Sequence, residues 1–194
     1  MSEAMHIPGD WHDGYIPDNV VVGSDSYIET SYSFLRYRSA ADPGVVIGQS
    51  TGVYQGTMFD LGPHAQVKIG DYVLMHGVRI IADTAVEIGS HTMMSWRVVI
   101  MDSYRIDPDV SSRRAQLDEV SQTEDRFLPG NTSGAKVTIG ENVWIGFDTC
   151  ILPSVTIGDN AIVGARAVVT EDVPAGAVVA GNPATIVRYQ QNPA

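Results

Sequence analysis

Asp83 and Asp102 are the first residues in this chain whose spacing suggests chemistry. Each stands two positions after an aliphatic residue, Ile81 and Ile100, and they lie 19 residues apart. On adjacent turns of a coil with about that period, their carboxylates would stack roughly 5 Å apart, the spacing of neighbouring strands. Like charges that close raise one pKa and make the pair a candidate shared-proton base. The structural alternative is that aspartate merely suits a corner. Three histidines, His64, His76 and His91, follow one another at intervals of 12 and 15 residues. Those intervals do not match one turn of such a coil, so a three-ligand zinc site is not expected and no metal is assigned. They read as surface or corner residues, with His76 or His91 a candidate base. The single cysteine, Cys150, excludes an internal disulfide framework and a Cys-rich metal site, and it fits a reducing compartment.

A repeat positions these side chains. Stepping by six from Ile139 gives Ile145, Ile151, Ile157, Val163 and Val169, and a second row two residues earlier reads Val137, Val143, Thr149, Val155, Ala161, Ala167 and Val173. No amphipathic α-helix keeps a period of six; a β-helix does. Three six-residue sides make a triangular coil of about 18 residues, and coils stack as a solenoid. Because strand side chains alternate, both rows point inward. The glycine that follows many of the aliphatics, as in Ile139-Gly140 and Ile157-Gly158, is expected at a sharp corner with a left-handed backbone. Earlier coils keep the period less strictly: Ile16, Val22, Ile28 and Phe34, then Ile69, Met75 and Ile81. One extra residue then shifts the phase to Ile88, Met94 and Ile100. About seven coils are expected in one all-β domain spanning residues 1–194, with an inserted loop over about 103–135 and a C-terminal tail over about 183–194.

Counted from Asp102, the insertion carries seven acids and four arginines up to Arg126. A stretch of this length without a period is a tolerated surface excursion or an arm reaching a site on this or a neighbouring subunit. Residues one before each inward aliphatic face outward. Trp144, Ile162 and Ala180 are expected in one column, and Cys150, Val168 and Ile186 in the next. An apolar stripe of this kind is rarely left exposed on a monomer, so a homo-oligomer, most simply a trimer, is expected. Trp144 is equally a candidate wall of a ligand pocket.

Composition narrows the partners. Twelve Lys and Arg against 23 Asp and Glu give a net charge of −11, which argues against a general nucleic-acid or anionic-membrane surface. No run of about 18 apolar residues exists, so no transmembrane helix is expected. The start, Met1 to Asp10, lacks a basic patch followed by an apolar stretch, so no signal peptide is expected, and a cytoplasmic location is the reading.

The motifs Val137-Thr-Ile-Gly-Glu-Asn-Val-Trp-Ile-Gly146, Ile151-Leu-Pro-Ser-Val-Thr-Ile-Gly-Asp159, Val168-Val-Thr-Glu-Asp-Val-Pro174 and Ala180-Gly-Asn-Pro-Ala184 with Ile186-Val-Arg188 resemble the hexapeptide-repeat acyltransferases. This is the group of maltose, galactoside and antibiotic O-acetyltransferases. The resemblance implies a left-handed parallel β-helix and a homotrimer. It also implies acetyl-CoA as co-substrate, lying in a groove between subunits along the C-terminal coils, and O- or N-acetyl transfer to a small polar acceptor such as a sugar. Trp144, Gly146, Ala165, Arg166 and Arg188 would border that groove, with the two arginines on the CoA phosphates. A loop histidine serves as general base in the family. Here Ser103-Tyr-Arg-Ile-Asp-Pro108 puts Tyr104 in its place, and a second family pattern, Ile100-Met-Asp102, puts Ile106 there. Phe147, Glu171 and Thr185 stand where the family often has a small hydroxyl residue and two lysines. Asp83, Asp102 and Tyr104 are therefore the catalytic candidates. The rival reading is a β-helix of this descent that has lost transfer chemistry and serves as a binding or scaffold subunit.

Overall fold

The computed structural model describes residues 5–124 and 133–190. The chain winds into a stack of triangular coils with three parallel faces. The first face carries Val20–Val22, Val45–Ile47, Gln66–Ile69, Ala85–Ile88, Val137–Ile139 and Thr156–Ile157. The second runs through Tyr27–Ile28, Gly52–Tyr54, Leu74–His76, Met93–Met94, Trp144–Ile145, Ile162–Val163 and Ala177–Gly181. The third is made of Met58–Leu61, Arg79–Ala82, Val99–Met101, Cys150–Ile151 and Val168–Val169. Val173 bridges Ile157 and opens a seventh turn on the first face.

The interior is what the hexad rows require. Ile139, Ile145, Ile151, Ile157, Val163 and Val169 are at most 1% exposed, and Val137, Val143, Val155, Ala161 and Ala167 are equally enclosed. Thr149, the polar member of that row, is buried with its hydroxyl donating to the Gly146 carbonyl at 2.7 Å, which removes the cost of an unpaired buried hydroxyl. The earlier phase differs from expectation at one point. Ile80, not Ile81, faces inward, paired with Ile100 across the coils. The side after Met75 is one residue short, and the surplus falls later, around Asp83 and Thr84.

The glycines after the aliphatics do a different job from the expected one. Gly48, Gly70, Gly89, Gly140, Gly146 and Gly158 all lack a left-handed backbone. The left-handed positions fall on Ser50, Tyr72, His91, Asn142 and Asn160 at one corner and on Arg97, Asp148 and Arg166 at the next. Glycine is needed instead because successive coils approach there. A Cβ on Gly158 would lie 2.5 Å from the Ala175 nitrogen, and one on Gly146 would lie 2.5 Å from the Ala165 nitrogen.

Two departures from the solenoid frame the site. After Asp102 the chain leaves the stack, forms an α-helix over Val110–Ser121 and returns at Ala135. Sequence periodicity gave no sign of this helix because none of its residues is buried. Asp109 caps it. Its carboxylate accepts from the Ser112 N–H at 2.8 Å, and that bond holds its pKa below the ordinary value. The segment Leu128–Gly134 lies mostly outside the described residues. At the C-terminal end, Ala184–Tyr189 folds back antiparallel onto Ala177–Gly181, so the described part of the tail is a hairpin closing the second face.

Candidate active site

The structure divides the expected site residues between two corners on either side of the third face. Asp83, Asp102 and Tyr104 stand at the corner between the third and first faces. Gly146, Ala165 and Arg166 stand at the corner between the second and third. Trp144 lies on the second face, paired with Met93 and Ile162, and Arg188 lies on the returning strand opposite Val178. Within one chain the two groups do not meet.

At the first of these corners, the two aspartates lie on neighbouring coils but one residue out of register, Asp102 following the Met101–Ile81 pair. Each carboxylate has partners of its own. Asp102 is fully buried, and its carboxylate accepts from the Asp83 N–H at 2.8 Å, the Thr84 N–H at 2.7 Å and the Thr84 hydroxyl at 2.8 Å. Burial pushes its pKa up against those bonds, and the nearby Asp83 charge adds a smaller push. The Asp83 carboxylate turns elsewhere, to the Arg105 Nε at 3.1 and 3.2 Å. Arg105 is the residue that sequence reasoning missed. Its Nη1 donates to Asp60 Oδ1 at 2.5 Å, and its Nη2 donates to the carbonyls of Asp60 at 2.7 Å and Ala82 at 3.2 Å. Arg79 holds the other Asp60 oxygen at 2.5 Å. Burial works to raise the Asp60 pKa, but the two guanidiniums outweigh it and hold it below the ordinary carboxylate value. Arg105 itself has a left-handed backbone, with φ of 56°, and Gln116 of the helix donates to its carbonyl at 2.8 Å. The corner is thus a buried ionic clasp at the root of the insertion. Of the three catalytic candidates only Tyr104, 61% exposed, is open to a ligand.

The other corner is open and partly apolar. Trp144, Phe147 and Trp96 are exposed, and the Arg166 guanidinium lies over the Phe147 ring at 5.8 Å. Arg97 grips Asp148 with both Nε and Nη2, at 2.6 and 2.8 Å, and Arg166 approaches the same carboxylate at 3.7 Å. The hydrogen bond from Arg97 pulls the Asp148 pKa down. Two guanidiniums around one carboxylate leave a local positive charge in a chain of net charge −11. Here Gly146 and Ala165 come together on successive coils, a Cβ on Gly146 lying 2.5 Å from the Ala165 nitrogen.

The outward columns follow expectation through Trp144 and Ile162, and through Cys150 and Val168. They change at the end of the helix, where Ile162 pairs with Val178 rather than Ala180, and Ile186 pairs with Val179 on the second face rather than continuing the third. The last coil is two residues short, with Ile157 already opposite Val173, and Ile186 lies on the strand that then reverses direction, so the six-residue step no longer applies. Burial pushes the Cys150 thiol pKa up, which suits a packing residue rather than a nucleophile. The three histidines occupy three different corners. His64 is exposed, His76 stacks on Tyr54, and His91 stacks on Tyr72.

Fold and corners together define a left-handed parallel β-helix built from hexapeptide repeats. Residues 136–171 match the family described as "Bacterial transferase hexapeptide (six repeats)", and over these coils the chain is similar to the hexapeptide-repeat acyltransferases. It is 52% identical over 52 residues to the galactoside O-acetyltransferase of Escherichia coli K12, a match covering 27% of this chain and 26% of that protein. It is 33% identical over 110 residues to the galactoside O-acetyltransferase of Lactococcus lactis, covering 56% of this chain and 45% of the relative. The matched segments thus span between a quarter and a half of these relatives' length. Among solved structures, a variant of AntD, an N-acyltransferase from Bacillus cereus in complex with dTDP-4-amino-4,6-dideoxyglucose and coenzyme A, superposes with a TM-score of 0.64. It is 16% identical, and the superposition covers 89% of this chain and 84% of that one.

Proposed function

We propose that this protein is an acetyl-CoA-dependent acyltransferase that moves an acetyl group to a hydroxyl or amine of a small polar acceptor such as a sugar. The observation that carries this reading is the corner where Gly146 and Ala165 meet beside Phe147, Arg166 and Arg97. It lies within the coils that match the acetyltransferase relatives, and it joins a shallow apolar wall to guanidinium groups suited to phosphates. The chemistry is attack of the acceptor oxygen or nitrogen on the thioester carbonyl. The acceptor proton passes to a base, the C–S bond breaks, and the CoA thiolate leaves and takes up a proton. Tyr104 supplies a phenol hydroxyl for orienting the acceptor. Asp102 and Asp83 support the loop from beneath. Their burial also favours the rival reading of a binding protein without transfer chemistry, so binding and turnover are measured together.

A calorimetric titration with acetyl-CoA is expected to give saturable binding, weakened roughly tenfold by Arg166→Ala through loss of one charge-assisted phosphate contact of about 1.5 kcal/mol. Absence of binding at millimolar acetyl-CoA would remove the transferase reading.

The assembly proposed is a cytoplasmic homotrimer in which the Tyr104 corner of one protomer faces the Trp144–Arg166 corner of the next. Exposed Met93, Trp144 and Phe147 support burial of this surface between copies. Light scattering is expected to return three chain masses; one chain mass would separate the two corners and exclude a site shared across subunits.

A further inference from the structure

The Tyr104 loop supplies no imidazole, but the CoA-side corner does. His76 ends the strand Leu74–His76 and lies flat on Tyr54 of the preceding coil, with ring centroids 4.5 Å apart and planes within 4°. From the following coil, Trp96 covers its other side at 5.3 Å. An imidazole between two rings has its plane fixed, and access is through its edge, where both nitrogens lie. Among the described residues neither nitrogen has a hydrogen-bond partner, and the side chain is only part-buried.

The corner continues from His76 towards the residues already assigned to CoA. Arg97 N–H donates to the Gly77 carbonyl at 3.1 Å, Asp148 N–H to Trp96 at 2.9 Å and Arg166 N–H to Phe147 at 2.8 Å. These bonds put Gly77, Trp96, Phe147 and Ala165 in one column on successive coils, with His76 one residue before Gly77 at its foot. At about 4.8 Å per coil, His76 stands roughly 10 Å below Phe147, with the 64% exposed Trp96 between them. The charged groups nearest this column are already engaged: Arg97 with Asp148, and Glu29, two coils below His76, with the Gln55 N–H at 2.8 Å.

We propose that His76 is the general base of the acyl transfer, acting in cis on the CoA corner, with Trp96 as the platform for a ring-shaped polar acceptor. The assignment rests on the acyl-transfer reading above. An imidazole nitrogen takes the proton of the acceptor O–H or N–H as the acceptor attacks the thioester carbon. The C–S bond then breaks, and the imidazolium returns the proton to the CoA thiolate. An imidazole nitrogen can both accept and return that proton, which suits both halves of the transfer.

The test measures CoA release from acetyl-CoA with methyl β-galactoside, glucosamine and water as acceptors, for the full chain and its variants. His76→Gln is expected to lower kcat by about 10²- to 10⁴-fold, with KM for acetyl-CoA within twofold and the neutral-pH limb of the rate profile lost. His76→Ala opens the space between Tyr54 and Trp96, and added imidazole is expected to restore part of its rate. His64→Gln, on another corner, is expected to match the wild type. The assignment is overturned if His76→Gln keeps its rate within twofold or keeps the same pH profile, or if imidazole restores nothing. It is equally overturned if the wild type binds acetyl-CoA yet releases no CoA with any of the three acceptors. Failure of the wild type to bind acetyl-CoA overturns instead the reading on which the assignment rests.

Discussion

Replacing Arg105 with alanine is expected to destabilise the fold by about 3–5 kcal/mol, the cost of stranding buried charges that have lost their partner. The Arg105, Asp60 and Asp83 side chains are 9%, 6% and 2% exposed, so water does not replace the guanidinium. Arg79 offers the contrast. It bonds the same Asp60, but its side chain is 48% exposed, and Arg79→Ala leaves Asp60 still held by Arg105, so about 1 kcal/mol or less is expected. Arg105→Lys should rescue little, because one ammonium cannot reach two carboxylates and two carbonyls in a fixed fork. Urea unfolding at constant m-value measures all three, and an Arg105→Ala loss below 1 kcal/mol would refute the clasp.

The clasp also sets the acid side of the stability curve. The Asp60 pKa is lower folded than its usual 3.8. Its contribution is therefore fully present above that value and is lost as pH falls through the folded one. Asp102 has the opposite sign, since its folded pKa is raised. Its ionisation weighs against the fold at higher pH, and protonation relieves that on the way down. Acid unfolding driven by this corner thus begins below about pH 4, and Arg105→Ala removes that step along with the stability it reports.

Gly158→Ala is expected to cost about 1–3 kcal/mol, or more, for the addition of one methyl group. The added Cβ would meet the Ala175 nitrogen at 2.5 Å, the Ala175 Cα at 2.8 Å and the Pro174 carbonyl carbon at 3.1 Å. All three are backbone atoms of the next coil, with no side chain to rotate aside. For a domain of this size, 3 kcal/mol is a fall of roughly 6–12 °C in Tm. Gly176 is the control. Its φ is +69° and a Cβ there meets nothing within 4 Å, while Asn142 and Asn160 take left-handed backbones at the equivalent corner of earlier coils. Gly176→Asn should therefore be close to neutral. A Gly158→Ala melting temperature within 2 °C of the wild type would show that the coils separate freely.

That contrast marks where the sequence is readable. From Val137 to Val173, each inward position must be small or β-branched to fill a narrow triangular interior, so the requirement prints itself on the chain every six residues. Between Met75 and Val86 the reading slips by one. Arg79-Ile80-Ile81-Ala82 presents two adjacent isoleucines, and a side shortened by one residue leaves no mark to choose between them. The glycines were visible but their reason was not, because what forbids a Cβ at Gly158 is a neighbour 17 residues later on another coil. Arg105 was hidden for a related cause. It stands in a polar insertion among other arginines, and its partners Asp60 and Asp83 lie 45 and 22 residues back. Tyr104, aligned with a family histidine by motif alone, is 61% exposed.

The insertion begins and ends at the same place. The Ala135 N–H donates to the Asp102 carbonyl at 2.7 Å, and the coils on either side stack as though nothing intervened, with Val99 opposite Cys150 and Ile100 opposite Ile151. Each coil makes its ladder only with its two neighbours, so the stack has no way to sense how much chain was spent between Asp102 and Ala135. Beyond the Arg105 clasp at its root, the excursion can therefore change without disturbing the coils, which answer to the geometry of a narrow apolar interior. One scaffold can in this way carry loops of very different length while its coil-to-coil register stays fixed.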